Sequence, residues 1–128
     1  EVDWGTSAIW PADERLTRFL DVYYKVAERN GGDAHAGRRV KQWFTEAGFN
    51  DLVVTTSTWT FADESGLKWW GEQWAERILS SDLAKRAVEY GIATESELSE
   101  ISQGWLDWVD AEGAFFAFTQ VEVVGTKA

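Results

Sequence analysis

The sequence has no cysteine and no methionine, one proline, one histidine and few positive charges. Without cysteine there are no disulfides and no thiolate metal sites. The single His35 cannot build a zinc site alone, so no metal site is expected. Twelve basic residues stand against 22 acidic ones, for a formal net charge of −10 and a pI near 4.5. A nucleic-acid binder needs a basic stripe to displace counterions, and none is present. The same acidity opposes adsorption to anionic membranes. No apolar run is long enough for a membrane-spanning helix and no signal peptide opens the chain, so a cytoplasmic protein is expected. The chain begins at Glu1, which reads as a processed product, a proteolytic fragment or a deliberately excised segment.

Against these absences stand nine tryptophans in 128 residues and an apolar fraction of 45%. That much apolar surface supports one folded domain rather than disorder. Each aromatic ring can bury about 150–250 Å². Most of the tryptophans are therefore expected in the core, with a few lining a pocket or an interface.

The first nine residues read as a short extended segment, Val2 and Trp4 alternating with Glu1 and Asp3. Pro11 stops it and suits the opening of a helix. Asp13 and Glu14 occupy the first turn, where acids complement the helix dipole. Leu16, Phe19, Leu20, Tyr23 and Ala27 follow at helical spacing, and Asn30-Gly31-Gly32 ends the helix. A second helix is expected over residues 34–47, with Val40, Trp43, Phe44 and Ala47 on one face. Gly48-Phe49 closes it as a left-handed cap with its hydrophobic contact. Residues 52–61, rich in Val and Thr, alternate with period two and predict a half-buried strand.

Three helices follow. Leu67, Trp70, Trp74 and Ile78 stripe the first. The second, capped by Ser80 or Ser81, carries Leu83, Ala84, Ala87 and Val88 before Gly91. Thr94-Glu95-Ser96-Glu97 has the capping-box pattern and opens the third, with Leu98, Ile101, Trp105 and Trp108. Gly113 closes it, and residues 114–124 predict a last strand. The order is strand, two helices, strand, three helices, strand, which makes an α/β or α+β domain with a thin three-stranded sheet.

In order along the chain, Val2-Asp3-Trp4-Gly5, Trp10-Pro11, Asn30-Gly31-Gly32, Ala36-Gly37-Arg38-Arg39-Val40, Ala47-Gly48-Phe49, Ser57-Thr58-Trp59 and Trp69-Trp70-Gly71 form a series. This series resembles the C-terminal half of class I S-adenosylmethionine-dependent methyltransferases of the ubiquinone/menaquinone-biosynthesis type. The resemblance implies a Rossmann-like sheet of seven strands, of which this chain holds the end of the fifth, the sixth and the seventh. The seventh would lie between the other two, antiparallel to the sixth. The helices between sixth and seventh would cover the methyl acceptor, and those before the sixth would border its entrance. The family's glycine-rich cofactor loop and its acidic ribose partner have no counterpart here, since Gly31-Gly32 follows a helix rather than a strand. S-adenosylmethionine is therefore expected in an intact parent and not on this chain, which alone would be inactive.

No catalytic residue is assigned, because one histidine gives little support to a triad and the acids are scattered. The residues assigned to a small-molecule methyl acceptor are Asp3, Trp4, Arg38 and Trp69. Arg38, near a helix start, suits a polar or anionic group. Asp3 and its neighbour Trp4 lie where open sheets place ligands, at a strand end. Trp69 cannot share the face of Trp70, which leaves it free for a ligand or partner. His35 is read as a surface residue. Other readings of the same residues are a stand-alone tryptophan-rich binding module and a structural dimer unit. The resemblance also implies a homodimer, since the family's fourth strand, which flanks the fifth, is missing here and would leave an open edge and an uncovered apolar face.

Overall fold

The computed structural model describes residues 1–128. Strand β1 (Val2–Trp10) leads into helix α1 (Glu14–Arg29), then a 3₁₀ turn (Ala36–Arg39) and helix α2 (Val40–Glu46). Strand β2 (Phe49–Phe61) follows. Helices α3 (Glu64–Ser80), α4 (Asp82–Glu89) and α5 (Glu95–Val109) lead to strand β3 (Phe115–Lys127). The sheet order is β1-β3-β2, with β3 antiparallel to both neighbours. The protein is thus an α+β fold of five helices and one antiparallel sheet, and the last strand occupies the centre. No helix is long and apolar enough to cross a membrane.

Local chemistry explains most of the boundaries. The Asp13 side chain accepts from the Arg15 N–H at the start of α1, and Gly31 adopts φ 77° just past its end. Thr94 and Glu97 form the reciprocal capping box of α5. Gly48, at φ 81°, ends α2, and the Phe44 and Phe49 rings meet across it at 4.9 Å. Ser81 stands at the N-cap of α4 without a capping bond, because its hydroxyl donates back to the Arg77 carbonyl.

The core lies between the sheet and helices α1, α3, α4 and α5. Phe116 and Phe118 of β3 meet Trp70, Trp74 and Ile78 of α3, Phe19 of α1, and Leu98, Ile101 and Trp105 of α5 in one cluster. The Trp4 ring sits 5.5 Å from Trp74 and 6.0 Å from Trp70.

Three expectations change. The single helix over residues 34–47 is a 3₁₀ turn followed by a short α2, and of its expected apolar face Val40 alone is buried. Strand β1 does not alternate cleanly, for Asp3 and Trp4 are both buried. Its pairing with β3 jumps from Asp3↔Thr119 to Ala8↔Ala117, so residues 4–7 stand opposite Phe118 alone. Such a bulge turns consecutive side chains away from the simple two-residue repeat. Strand β2, expected half-buried, has no buried residue on either face.

Candidate functional site

The start of strand β1 and the α1–α2 connection build one compact polar cluster. Asp3 is 3% exposed, and its carboxylate is fully engaged. Arg38 donates from Nε to Oδ2 at 2.5 Å and from Nη2 to Oδ1 at 3.0 Å. The Gly5 N–H donates to Oδ1 at 3.0 Å. The His35 Nδ1 lies 3.4 Å from the same oxygen, buried and without a hydrogen-bond partner. The His35 ring is 4.8 Å from that of Tyr24, whose hydroxyl donates to the Trp4 carbonyl.

Two glycines make this approach possible. A Cβ on Gly5 would collide with His35 and Arg38. On Gly37 it would fall 2.9 Å from the Asp3 nitrogen and 3.1 Å from the Glu1 carbonyl. The 3₁₀ turn therefore lies directly on the β1 backbone, which brings Arg38 onto Asp3. The Trp4 N–H, donating to the Ala34 carbonyl at 2.9 Å, fixes the segment that carries His35.

Burial alone would push the Asp3 carboxyl up. The hydrogen bonds and charge of Arg38, then the Gly5 N–H and His35, outweigh it and hold the carboxyl below its ordinary value. The same pair raises the Arg38 guanidinium. Burial, then the negative charge of Asp3, pushes the Tyr24 phenol up. Asp3 is consequently an ionised positioning group with its oxygens already occupied, and not a free base. Arg38 is different. Its side chain is 56% exposed and two of its five N–H donors are used, so the rest can meet an anionic or carbonyl oxygen. A cleft of about 350 Å³ opens on the His35 and Tyr24 side of the cluster, lined also by Glu28, Asp33 and Arg39. Arg39 pairs with Asp33 at 3.0 Å and stacks over Trp43.

Of the four residues assigned from the sequence, the structure joins Asp3 and Arg38. Trp4 packs in the core and offers the cluster its backbone rather than its ring. Trp69 is 57% exposed on helix α3, outside this cluster, its ring 5.8 Å from Phe61 and 6.0 Å from Trp70. His35 and Tyr24 are the members that sequence reasoning missed. Gly5 and Gly37, one on each side of the contact, are the signal that could have paired the two segments.

No protein-family model matches this sequence. Over 99% of its length the chain is 25% identical to an uncharacterized methyltransferase of Schizosaccharomyces pombe. The chain spans 45% of that protein, less than half its length. The likeness relates this chain, end to end, to a methyltransferase.

Proposed function

We propose that this chain is the acceptor-covering, C-terminal part of an S-adenosylmethionine-dependent methyltransferase. The observation that carries the reading is the lopsided match, which takes in nearly all of this chain and less than half of the related methyltransferase. The sheet order agrees with it, since the last strand lies between the other two as the family's seventh strand would.

On this reading α3, α4 and α5 form the lid over a small-molecule methyl acceptor, and the 3₁₀ turn forms a wall of its pocket. Asp3 orients Arg38, and Arg38 binds a polar or anionic oxygen of the acceptor. Methyl transfer depends on alignment and exclusion of water; on this reading the guanidinium oriented by Asp3 serves the first and the lid helices the second. The cofactor does not fit the residues of this chain. Gly31-Gly32 caps the C-terminus of α1, where carbonyls rather than N–H groups point outward. S-adenosylmethionine, the methyl donor of such enzymes, is assigned to the other part of a longer protein.

The test compares two preparations by calorimetric titration with S-adenosylmethionine. A longer protein that contains this chain binds it, and the 128-residue chain alone gives no heat of binding. Micromolar affinity of the chain alone overturns the division of labour.

A further inference from the structure

Strand β2 breaks the usual rules for a sheet edge. Natural edges are guarded by lysine, proline, bulges or shortness, because their unpaired N–H and C=O groups are templates for another strand. Here the pairing of β2 with β3 runs without interruption from Val53 to Phe61, at the end of the sheet. The bulge between Asn50 and Val53, with Asp51 at φ 52°, guards one end of the strand only. Residues 52–62 form the longest stretch of the chain without a charged side chain, and they contain no proline. In a protein of net charge −10 this stretch therefore brings no charge to a joint. The carboxylate beside it, Glu122 of β3, accepts from Thr55 and Ser57 and is held on one face of the sheet.

We infer that β2 is the contact between two copies of this chain, which join edge to edge into a continuous six-stranded sheet. The strand is complementary to itself. A twofold axis perpendicular to a sheet keeps both copies facing the same way, so opposed residues must share the same parity. With the axis at Thr56, Thr56 faces Thr56 of the second copy, Val54 faces Thr58 and Val53 faces Trp59. Val53 and Trp59 are the most exposed large apolar residues of β2. Within one copy Val53 already stands opposite Val124, and Trp59 opposite Phe118. The join therefore extends two apolar rows, each running Val124, Val53, Trp59, Phe118 across both copies. On the opposite face Thr56 meets its own copy on the axis, flanked by Val54 against Thr58, and threonine pairs of this kind are favourable across strands. Asp51 falls at the outer end of the joint, away from its centre. This contact does not depend on the function proposed above. It also lies at the opposite edge of the sheet from β1, where loss of a neighbouring strand would expose an edge.

Sedimentation equilibrium over a concentration series is the experiment, with Thr56→Lys and Thr56→Glu prepared separately and mixed. The wild-type chain is expected at twice 14.5 kDa. Each variant alone places like charges face to face on the axis, and its dimer dissociation constant rises more than about tenfold. The equimolar mixture of the two variants regains the dimer, which a folding defect cannot do. Since the chain has no cysteine, Thr56→Cys adds an independent reading. Under mild oxidation its single thiol cross-links to that of the second copy, because Cα atoms opposed across an antiparallel pair lie about 4.5–5.5 Å apart, within the range a disulfide spans. A wild-type mass of 14.5 kDa up to high micromolar concentration overturns the inference. So does a Thr56→Lys chain that stays dimeric, which would put the contact at another surface such as the β1 edge.

Discussion

Strands β2 and β3 have the same length and similar stocks of Val, Thr and Phe, yet they live in opposite environments. In β3, Phe116, Ala117 and Phe118 are buried in succession, with hydrogen-bonded strands on both sides and helices stacked on Phe116 and Phe118. In β2 no residue is buried, and Trp59 remains 43% exposed although its ring meets Phe118 at 5.8 Å. Position in the sheet, not composition, decides what each strand does. The central strand organises the core. The outer strand is left with its backbone edge and its side chains available to another molecule.

Substitutions on the two strands and their partners should separate these roles. The largest effect is expected on the core side, at Trp105, which is 0% exposed and meets Phe19 at 5.1 Å and Phe116 at 6.1 Å. Trp105→Ala should cost about 3–5 kcal/mol, since the indole leaves a cavity its neighbours cannot close. Thermal unfolding followed by circular dichroism checks this, with a fall in Tm on the order of 10 °C or more expected.

A smaller loss, about 1–3 kcal/mol, should follow Asp3→Asn, which removes the ionic clamp between β1 and the 3₁₀ turn. The clamp also makes stability depend on pH. The folded-state value of Asp3 lies below its unfolded value, so its contribution is complete above the unfolded value of about 3.9. That contribution is lost as pH falls through the lower folded-state value. Urea unfolding between pH 7 and pH 3 should show a steeper acid loss in the wild type than in Asp3→Asn. Equal slopes would mean that Asp3 contributes nothing specific.

The smallest effect should be at the outer strand. Trp59→Ala is expected to cost no more than about 1 kcal/mol when unfolding is measured at a concentration too low for dimers. A loss as large as that of Trp105→Ala would erase the distinction between the two strands.

The helical stripes were plain in the sequence because a 3.6-residue repeat reports its own buried face. Trp70, Trp74 and Ile78 in α3, and Leu98, Ile101, Trp105 and Trp108 in α5, are all buried as the spacing requires. Two caps were equally legible, since Thr94 with Glu97 and Gly48 with Phe49 act through neighbours in the chain, whereas the Ser81 hydroxyl turns back to the Arg77 carbonyl instead of capping α4. Alternation in β2 was read correctly as a strand and wrongly as a half-buried one. A period of two identifies the pleat but cannot report whether anything packs on it. The site was legible in part. Asp3 and Arg38 were named separately, but their bidentate contact spans 35 positions of sequence and rests on two glycines whose role is steric. Trp4 looked like a ligand contact because it adjoins Asp3. The bulge at residues 4–7 sends its ring into the core instead.

The crowding of indoles in that core has an optical consequence. Trp4, Trp70 and Trp74 are mutually within 6.0 Å, and Trp105 lies 5.4 Å from Trp108 in a T-shaped pair. Aromatic transitions this close couple, so the near-ultraviolet dichroism of the chain carries the signature of the packed arrangement rather than of single chromophores. The Nε1 hydrogens of Trp70, Trp74 and Trp105 are buried without acceptors, which places these rings in a medium that shifts their emission to the blue. Trp10, Trp43 and Trp59 stand outside and emit from water-facing surroundings, while Trp69, exposed but 6.0 Å from Trp70, couples to the interior set. The two populations give the molecule separate colours for its interior and its surface, so loosening of one can be told from rearrangement of the other without an added label.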